Sequence, residues 1–316
     1  MKDETMYAVE TKDLTRFFGK VLAVDGLNLK VAQGSLFGLI GPNGAGKTTT
    51  LRMLAGLLEP SEGEILLNGE ALNGNWRALH TKIGFMPDFF GVYEDMLVWE
   101  YLDFFARCYN LPAERRKRVV DELLELVDLA RKRDAYVQSL SRGMRQRLCL
   151  AHALVQDPQV LLLDEPASGL DPRARVEMRE LLRELGAMGK TILLSSHILT
   201  ELADMCSEIA IIEQGRIVAS GPLAEISQQA GSQRTLHIRV LNNVDSAGVV
   251  LRNLPGVGQV FVESDSSLEV EFNGDDDAAA ELLHHLVYAG VRVAAFNESS
   301  SNLEEIFLRL TRGEVA

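Results

Sequence analysis

The segment GPNGAGKTTT, residues 41–50, directly follows the apolar run SLFGLI and matches the pattern G-x-x-x-x-G-K-[ST]. Glycines at these positions let backbone N–H groups curve around phosphate oxygens, while Lys47 can reach the β- and γ-phosphates. The Thr48 hydroxyl can bind Mg²⁺, and a helix that starts here directs the positive end of its dipole at the anion. The sequence therefore predicts a nucleotide-binding loop, which contains Gly41, Pro42, Asn43, Gly44, Ala45, Gly46, Lys47, Thr48 and Thr49.

Two carboxylates follow another apolar run, in the segment VLLLDEPASGLDP (160–172). Asp164 can hold Mg²⁺ directly or through water, and Glu165 beside it can orient and polarise an attacking water. Such a pair is common on protein surfaces, but a phosphate loop in the same chain favours the catalytic interpretation. His197 ends a further apolar run, TILLSSH, from which it can contact a γ-phosphate. Open α/β sheets bind ligands at the carboxyl ends of their strands, where these residues are predicted to meet.

The segment SLSRGMRQR (139–147) is a serine-capped helix start with three arginines in its first two turns. The whole chain has a formal net charge of -13, so this concentration of positive charge needs an explanation. From these residues alone three interpretations stay open: a solvated basic face, a nucleic-acid contact, or a phosphate held elsewhere in the protein or by another molecule.

The periodicity of apolar residues predicts the elements that position these groups. Short strand-like runs alternate with turns between about residues 7 and 40, and the spacing between residues 94 and 158 is typical of helices. Two buried strands, VLLLDEP and TILLSSH, flank the helix PRARVEMRELLRELGAMG. This order predicts a parallel α/β core.

The pattern changes near residue 230, where SQQAGSQ is polar and typical of a linker. Beyond it the sequence predicts the βαββαβ order of a ferredoxin-like domain, followed by a final helix in SNLEEIFLRLTRG. The acidic run 275–277 is expected to start the second long helix, whose N-terminal dipole favours negative charge; a metal site there is the less favoured interpretation. The predicted spans are strands at 234–240, 258–264, 268–273 and 291–297 and helices at 245–254 and 276–289.

Composition limits the class of protein. The hydrophobic fraction of 47% fits the core of one large domain or two, and the apolar runs are far shorter than the ~20 residues that span a bilayer. Neither a signal peptide, a disulfide framework nor a cysteine zinc site is expected from MKDETMYAVE and three widely spaced cysteines. The acidic balance, with 13 acidic and 6 basic side chains in residues 231–316, disfavours a nucleic-acid partner.

Together these motifs resemble those of the ATP-binding subunits of ABC transporters, over about residues 5–225. GPNGAGKTT resembles the Walker A motif and LLLDEP the Walker B motif, with Glu165 in the position of the catalytic base. His197 matches the switch histidine, and Phe18 in TRFFGK matches the aromatic that stacks on adenine, with Phe17 as the alternative. The D-loop of the family is matched by Ser168, Gly169, Leu170 and Asp171.

The resemblance gives the basic helix start an interpretation. LSRGMRQRL is similar to the family signature LSGGQ, which packs on the γ-phosphate held by the Walker A motif of a second subunit. Ser141 would then cap its own helix and contact the phosphate of the partner. Arg142 and Met144 depart from the family pattern, so a working but altered signature is expected. The matching residues are Leu140, Ser141, Arg142, Gly143 and Met144.

Asp88 in IGFMPDFF stands where the family usually has the Gln of its Q-loop. A carboxylate near the γ-phosphate would be repelled unless it binds Mg²⁺ or stands back, and our hypothesis is that Asp88 acts through the metal. The implied metal ligands are Thr48, Asp164 and Asp88. Since Glu165 and His197 are both present, the resemblance implies an active ATPase.

Residues 85–109 contain nine of the 20 aromatic residues of the chain. The core of a helical subdomain explains part of them, but in the family this region forms a groove that receives a short helix from the transmembrane subunit. Charge substitutions at Phe89, Phe90 or Tyr93 are therefore predicted to uncouple ATP hydrolysis from the membrane partner.

The implied fold class is α/β: a P-loop NTPase core of the ABC type with an N-terminal antiparallel β subdomain and a helical subdomain, plus a small ferredoxin-like α+β domain. The expected boundaries are 5–228 for the nucleotide-binding domain, about 90–158 for the helical subdomain and 233–316 for the accessory domain.

The implied function is hydrolysis of ATP, with Mg²⁺, to energise a separate polytopic permease at the cytoplasmic face of the cell membrane. Export and a homodimer of ATPase subunits are favoured, because MPDFFGVYEDM and the C-terminal NLEEIFLRLT are similar to drug-resistance-type exporters and both half-sites are nearly intact. The alternative is a soluble ABC-type ATPase acting on ribosomes or DNA, disfavoured by the single nucleotide domain. A small-molecule kinase is disfavoured by the signature, D-loop and His197 together.

Overall fold

The computed structural model describes residues 6–72, 81–89, 91–198, 201–202, 205–223, 225–226 and 234–299. The chain divides after Leu223 into two compact units. The strands are β1 (Tyr7–Phe18), β2 (Val21–Leu27), β3 (Lys30–Ala32), β4 (Leu36–Ile40), β5 (Glu62–Leu67), β6 (Glu70–Ala71), β7 (Ile83–Met86), β8 (Val160–Leu163), β9 (Thr191–Ser196), β10 (Glu208–Glu213), β11 (Arg216–Pro222), β12 (Arg234–Val240), β13 (Val257–Ser264), β14 (Ser267–Phe272) and β15 (Val293–Ser299). The helices are α1 (Lys47–Leu54), α2 (Val98–Cys108), α3 (Ala113–Leu126), α4 (Arg142–Leu154), α5 (Pro172–Ala187), α6 (Val244–Arg252) and α7 (Asp276–Tyr288).

The first unit begins with an antiparallel sheet of order β2–β1–β5–β6, in which β3 also pairs with β1. Val9 and Leu14 of β1 are buried in its core. Thr11 is buried as well, but its hydroxyl donates to Leu27 O and accepts the N–H of Leu29, both at 2.8 Å. The buried polar atom is therefore satisfied, and it holds β1 against the turn between β2 and β3.

The central sheet has the order β11–β10–β4–β9–β8–β7. Strands β10, β4, β9, β8 and β7 are parallel, and β11 pairs antiparallel with β10. The sequences LFGLI, VLLL and TILLSS of β4, β8 and β9 are buried throughout, as expected for parallel strands covered on both faces. The predicted parallel α/β core is confirmed, and the carboxyl ends of β4, β7, β8 and β9 share one edge.

Helices α2, α3 and α4 occupy the region in which the spacing of apolar residues predicted helices. Asp103 on α2 accepts hydrogen bonds at 2.7 Å from Arg116 on α3 and from Arg107 on its own helix. Leu148 and Leu150 of α4 are fully buried. The three helices therefore pack against one another, and the predicted signature lies at the start of α4.

The second unit has the predicted βαββαβ order, with an antiparallel sheet of order β13–β14–β12–β15. The side chains of Leu236, Val270 and Leu286 belong to its fully buried core, which joins the sheet to α7. Asp275 caps α7 by accepting the N–H of Ala278 at 2.9 Å, as the dipole argument predicted. The final helix predicted after residue 300 lies outside the described residues.

Sequence analysis did not predict β7 or the antiparallel hairpin of β10 and β11. The hairpin turns at Gln214 and Gly215, which have φ of 47° and 77°. Positive φ at both turn residues is typical of a two-residue hairpin, so QG between EIAIIE and RIVASGP is the sequence signal for this turn. In the part of the chain that the structure describes, no helix is both long and apolar enough to cross a bilayer.

Candidate functional site

Predicted site residues from four segments of the chain meet at the carboxyl edge of the central sheet. The phosphate loop follows β4, Asp88 follows β7, Glu165 follows β8 and His197 follows β9. Because these strands are parallel, side chains from four distant segments line one open cleft of about 300 Å³. Ala23 on β2 also lines it, and sequence analysis missed this residue. The lining consists of Ala23, Asn43, Gly44, Gly46, Lys47, Thr48, Thr49, Asp88, Glu165, Ser168 and His197.

The phosphate loop needs glycine for both backbone shape and space. Gly44 and Gly46 have φ of 84° and 106°, a region that other residues enter only at a cost. A Cβ at Gly41 would lie 2.3 Å from Ile212 O, so the loop packs directly on β10. Gly46 is the N-cap of α1, which places the first turn of this helix in the lining of the cleft.

The turn between β10 and β11 supports the phosphate loop from behind. The N–H of Gly215 donates to Ala45 O at 3.0 Å, and Gly215 O accepts the N–H of Asp25 at 3.0 Å. A Cβ at Gly215 would lie 2.8 Å from the Cα of Val24, so no side chain fits there. The turn therefore joins the N-terminal sheet to the loop.

Lys47 is buried, with 6% of its side chain exposed. Its Nζ donates to Gly41 O at 2.6 Å and to Pro42 O at 3.2 Å, and it lies 3.6 Å from Oε1 of Glu165. Burial lowers the pKa of Lys47, and the carboxylates of Glu165 and Asp164 oppose that shift. A lysine held by loop carbonyls and a carboxylate can exchange these partners for phosphate oxygens.

Ser195 on β9 holds both carboxylate residues. Its hydroxyl donates to Oδ1 of Asp164 at 2.6 Å and accepts the N–H of Glu165 at 3.0 Å. Asp164 is buried, and Glu165 has a φ of 50°, a strained value for a residue other than glycine. Ser195 therefore stabilises the strained backbone at Glu165. Sequence analysis missed it, although two serines inside the buried run TILLSSH were a signal.

The side chain of Glu165 lies between His197 and Lys47. Its Oε2 is 2.9 Å from Nδ1 of His197, and its Oε1 is buried, 3.6 Å from Lys47 Nζ, without a hydrogen-bond partner among the described residues. A buried carboxylate oxygen without a donor costs free energy. This oxygen can therefore accept a hydrogen bond from a donor that enters the cleft, or bind a cation there.

Thr48 and Asp88 line the cleft, whereas Phe18 is not among the lining residues. Asp88 is exposed and lies two residues after the end of β7. Phe18 ends β1 with 47% of its surface exposed, and the guanidinium carbon of Arg16 lies 4.8 Å from the centre of its ring. Phe17 is exposed too. The stacking of either ring on adenine stays a prediction.

Helix α4 begins at the predicted signature. Ser141 is its N-cap, and the hydroxyl accepts the N–H of Met144 at 3.3 Å. Leu140 is buried, Ser141 is exposed, and Met144 is half-buried. Each of the three arginines donates a hydrogen bond of 3.1 Å to a backbone carbonyl of the same chain. Arg142 donates to Ser168 O, Arg145 to Leu140 O and Arg147 to Val127 O. Intrachain hydrogen bonds thus account for the basic side chains of this helix start.

The predicted D-loop connects the cleft to α5. Ser168 lines the cleft, Leu170 is buried, and Asp171 caps α5 by accepting the N–H of Ala174 at 2.9 Å. Gly169 between them has a φ of 64°. The loop is thereby held at both ends.

Comparison with known proteins identifies the family. A family model described as ABC transporter matches residues 24–168. The Nod factor export ATP-binding protein I of Paraburkholderia xenovorans is 39% identical over 312 residues, which cover 98% of each chain. The chain belongs to the ATP-binding subunits of ABC transporters. A second family model, described as ATP-binding protein DrrA1-3-like, C-terminal domain, matches residues 221–311.

Solved structures resemble the larger part of the chain. A structure described as the ATP-binding subunit of an ABC transporter has a TM-score of 0.64 and 32% identity, covering 71% of this chain and 93% of that one. A dimeric ATP-binding cassette in a post-hydrolysis state, bound to ADP and Pi, has a TM-score of 0.61 and 26% identity, covering 68% of this chain and 98% of that one. The P-loop NTPase fold is confirmed, and the chain is an ATP-binding and ATP-hydrolysing subunit of an ABC transporter.

Proposed function

We propose that this chain powers export through a separate transmembrane permease and that Glu165 is the general base of ATP hydrolysis. Its nucleotide-binding domain spans residues 5–228 and its accessory domain 233–316. The observation that supports the catalytic role is the position of Glu165, with one carboxylate oxygen 2.9 Å from His197 Nδ1 and the other 3.6 Å from Lys47 Nζ. A base needs to lie within hydrogen-bond reach of the water that it activates, and this cleft gives Glu165 that access.

Each residue around Glu165 has a separate task in this proposal. Lys47 exchanges the carbonyls of Gly41 and Pro42 for β- and γ-phosphate oxygens and stabilises the charge that develops on them. His197 orients the carboxylate through Oε2, which leaves Oε1 to accept the proton of the attacking water. The start of α1 adds backbone N–H donors for the phosphates.

The residues around the cleft fit Mg²⁺. Thr48 and Asp88 line it, and the carboxylate of Asp164 directly precedes Glu165. Mg²⁺ prefers oxygen ligands of this kind, most of all carboxylates. Thr48, Asp164 and Asp88 would hold the ion, which when bound neutralises charge on the phosphates.

We assign the signature to the ATP of a second, identical subunit. Ser141 is exposed at the N-terminus of α4, where the helix dipole favours an anion. A similar ATP-binding cassette is dimeric in a structure with ADP and Pi. Leu140, Gly143 and Met144 would shape this contact, and two ATP molecules would then join two copies of the chain.

The permease is proposed to dock on the exposed aromatic side chains after β7. Phe89 is 92% exposed and Tyr93 is 55% exposed. The ring of Tyr93 lies 5.5 Å from that of Phe104, which is exposed as well, and contiguous exposed aromatic rings are typical of an interaction surface. Phe90, the third residue of the predicted patch, lies outside the described residues. The name of the Paraburkholderia relative supports export, and docking on a permease would place the chain at the cytoplasmic face of the membrane.

The first test uses Glu165→Gln, which keeps the shape of the side chain and removes the base. We expect ATP binding to persist and kcat to fall by a factor of ~10² to 10⁴. In a pull-down from detergent-solubilised membranes, this variant should retain a polytopic membrane protein, and a second copy of the chain only with ATP. Glu184→Gln is the matched control, because Glu184 is exposed on α5, away from the cleft.

Two outcomes would contradict the proposal. Unchanged turnover in Glu165→Gln would remove the general-base role. Recovery of ribosomal or DNA-associated partners without a membrane protein would favour the alternative ATPase class over a transporter subunit.

A further inference from the structure

We infer that Arg142 is a positioning residue that fixes the D-loop to the first turn of α4, so that the signature and the chain's own ATP cleft are mechanically coupled. The inference rests on the proposed function, in which Ser141 contacts the ATP of a second subunit. Arg142 stands where the family signature has glycine. Its side chain provides a contact that glycine at this position cannot make.

The guanidinium of Arg142 lies directly on Gly169. A Cβ at Gly169 would lie 2.3 Å from Cζ, 2.3 Å from Nη2 and 2.5 Å from Nη1 of Arg142. Three similar distances mean that the flat face of the guanidinium covers the position where a side chain would begin. Nη2 also donates to Ser168 O at 3.1 Å. Planar stacking combined with a directed hydrogen bond is the contact that arginine makes well and lysine does not.

Two further contacts attach α4 to the same region. A Cβ at Gly143 would lie 3.0 Å from Cβ of Ala174, so the first turns of α4 and α5 are in close contact. Gln146 is buried, and its Nε2 donates to Pro166 O at 3.0 Å. Of these contacts, the one made by Arg142 is directly connected to the cleft, because its acceptor Ser168 lines it.

A short covalent and hydrogen-bonded path leads from the signature to the proposed base. It runs from Ser141 to Arg142, from the guanidinium to Ser168 O, and from the N–H of Ser168 to Glu165 O at 3.0 Å. When ATP of the second subunit engages Ser141, the position of α4 also sets the backbone that carries Glu165. Hydrolysis in one site should therefore depend on occupancy of the other, which is a coupling between two sites.

The test compares Arg142→Ala with the wild-type chain. We expect kcat to fall about tenfold and the Hill coefficient for ATP to approach 1, because Glu165 loses part of its positioning. The affinity of the dilute, monomeric chain for a fluorescent ATP analogue should stay unchanged. Arg142→Lys should not restore the wild-type values. Arg173→Ala is the matched control, since Arg173 lies nearby on α5, is 91% exposed and pairs with Glu177.

A double-mutant cycle with Gly169→Ala tests the contact itself. In the wild-type chain the added methyl group clashes with the guanidinium, and the alanine is also strained at a φ of 64°. In Arg142→Ala the clash is absent and only the backbone strain remains. Gly169→Ala should therefore reduce kcat more in the wild-type chain than in Arg142→Ala, so the two effects do not add.

Additive effects, an unchanged Hill coefficient in Arg142→Ala, or a wild-type Hill coefficient of 1 would each overturn the inference. A purely structural role would lower the midpoint of thermal unfolding and leave the kinetic constants of the folded chain unchanged. The Glu165→Gln test does not involve Arg142. Unchanged turnover in Glu165→Gln would contradict the proposed function, whereas the outcomes above would contradict only the coupling.

Discussion

The hydroxyl of Ser195 forms hydrogen bonds with both carboxylate residues, Asp164 and Glu165. It accepts the N–H of Glu165 and donates to Asp164, and no other residue type of its size offers both functions on a buried strand. We expect Ser195→Ala to lower kcat about tenfold with a smaller change in KM, because the phosphate loop still binds ATP while Glu165 loses its anchor. Steady-state ATP hydrolysis measures both constants.

The control for this variant is Ser196→Ala on the same strand. The hydroxyl of Ser196 donates to Ile198 O at 3.3 Å, and this bond involves neither Asp164 nor Glu165. Equal losses of kcat in the two variants would show that the effect comes from β9 as a whole, contrary to the role given to Ser195.

Individual site residues were predictable where their neighbours in sequence are also their neighbours in space. The loop around Lys47 is continuous, so its spacing alone indicates a phosphate site. Ser195 acts through the register between β8 and β9, in which Leu163 lies opposite Leu194, and that register is not visible in a sequence. Arg142 was recognised as a departure, but its contact with Gly169 exists only in the folded chain.

At the scale of elements, α4 carries His152 into the contact with α2. The ring stacks on Phe105 with centroids 3.6 Å apart, and burial lowers the pKa of His152 from 6.5 to about 4. Between these values the unfolded chain binds a proton that the folded chain does not, so the free energy of unfolding falls as the pH falls. From pH 6.5 to pH 5 we expect this histidine to reduce stability by on the order of 1 kcal/mol.

His152→Phe should remove this part of the pH dependence while keeping an aromatic ring against Phe105. Urea unfolding followed by tryptophan fluorescence at the two pH values measures the difference. If His152→Phe lost as much stability as the wild-type chain between these pH values, burial of this histidine would not be the cause.

Elements with strong periodicity were predicted closely. Strand β12 has the predicted span, and α7 ends within one residue of its predicted end, because alternation and helical spacing both extend over many residues. The elements that were missed are β7, with four residues, and the hairpin of β10 and β11. A four-residue run carries too few positions to reveal a period.

At the scale of the whole molecule, coupling to the permease depends on the exposed side chains after β7. Phe89→Asp should reduce recovery of the permease in a pull-down and abolish its stimulation of ATP hydrolysis, because a charge in an apolar contact must be desolvated. ATP hydrolysis by the chain alone should remain, since Phe89 does not line the cleft. Copurification and ATPase activity, with and without membranes, measure the two effects.

Tyr288→Asp is the control for this substitution, because Tyr288 is 87% exposed and lies on α7 of the second unit. It should leave recovery of the permease unchanged. Unaltered recovery in Phe89→Asp would contradict the proposed docking surface, and equal losses in both variants would point to a general effect of the added charge.

The support that Gly215 gives to the phosphate loop has a consequence for synthesis of the chain. A nascent chain that has reached residue 206 already contains every residue that lines the cleft. It still lacks the turn whose N–H bonds to Ala45 O and whose carbonyl holds Asp25. The hydrogen bond to Ala45 O cannot form before Gly215 has been synthesised, and domains fold as units during translation. The loop at residues 41–50 should therefore reach its final shape only after the hairpin has left the ribosome.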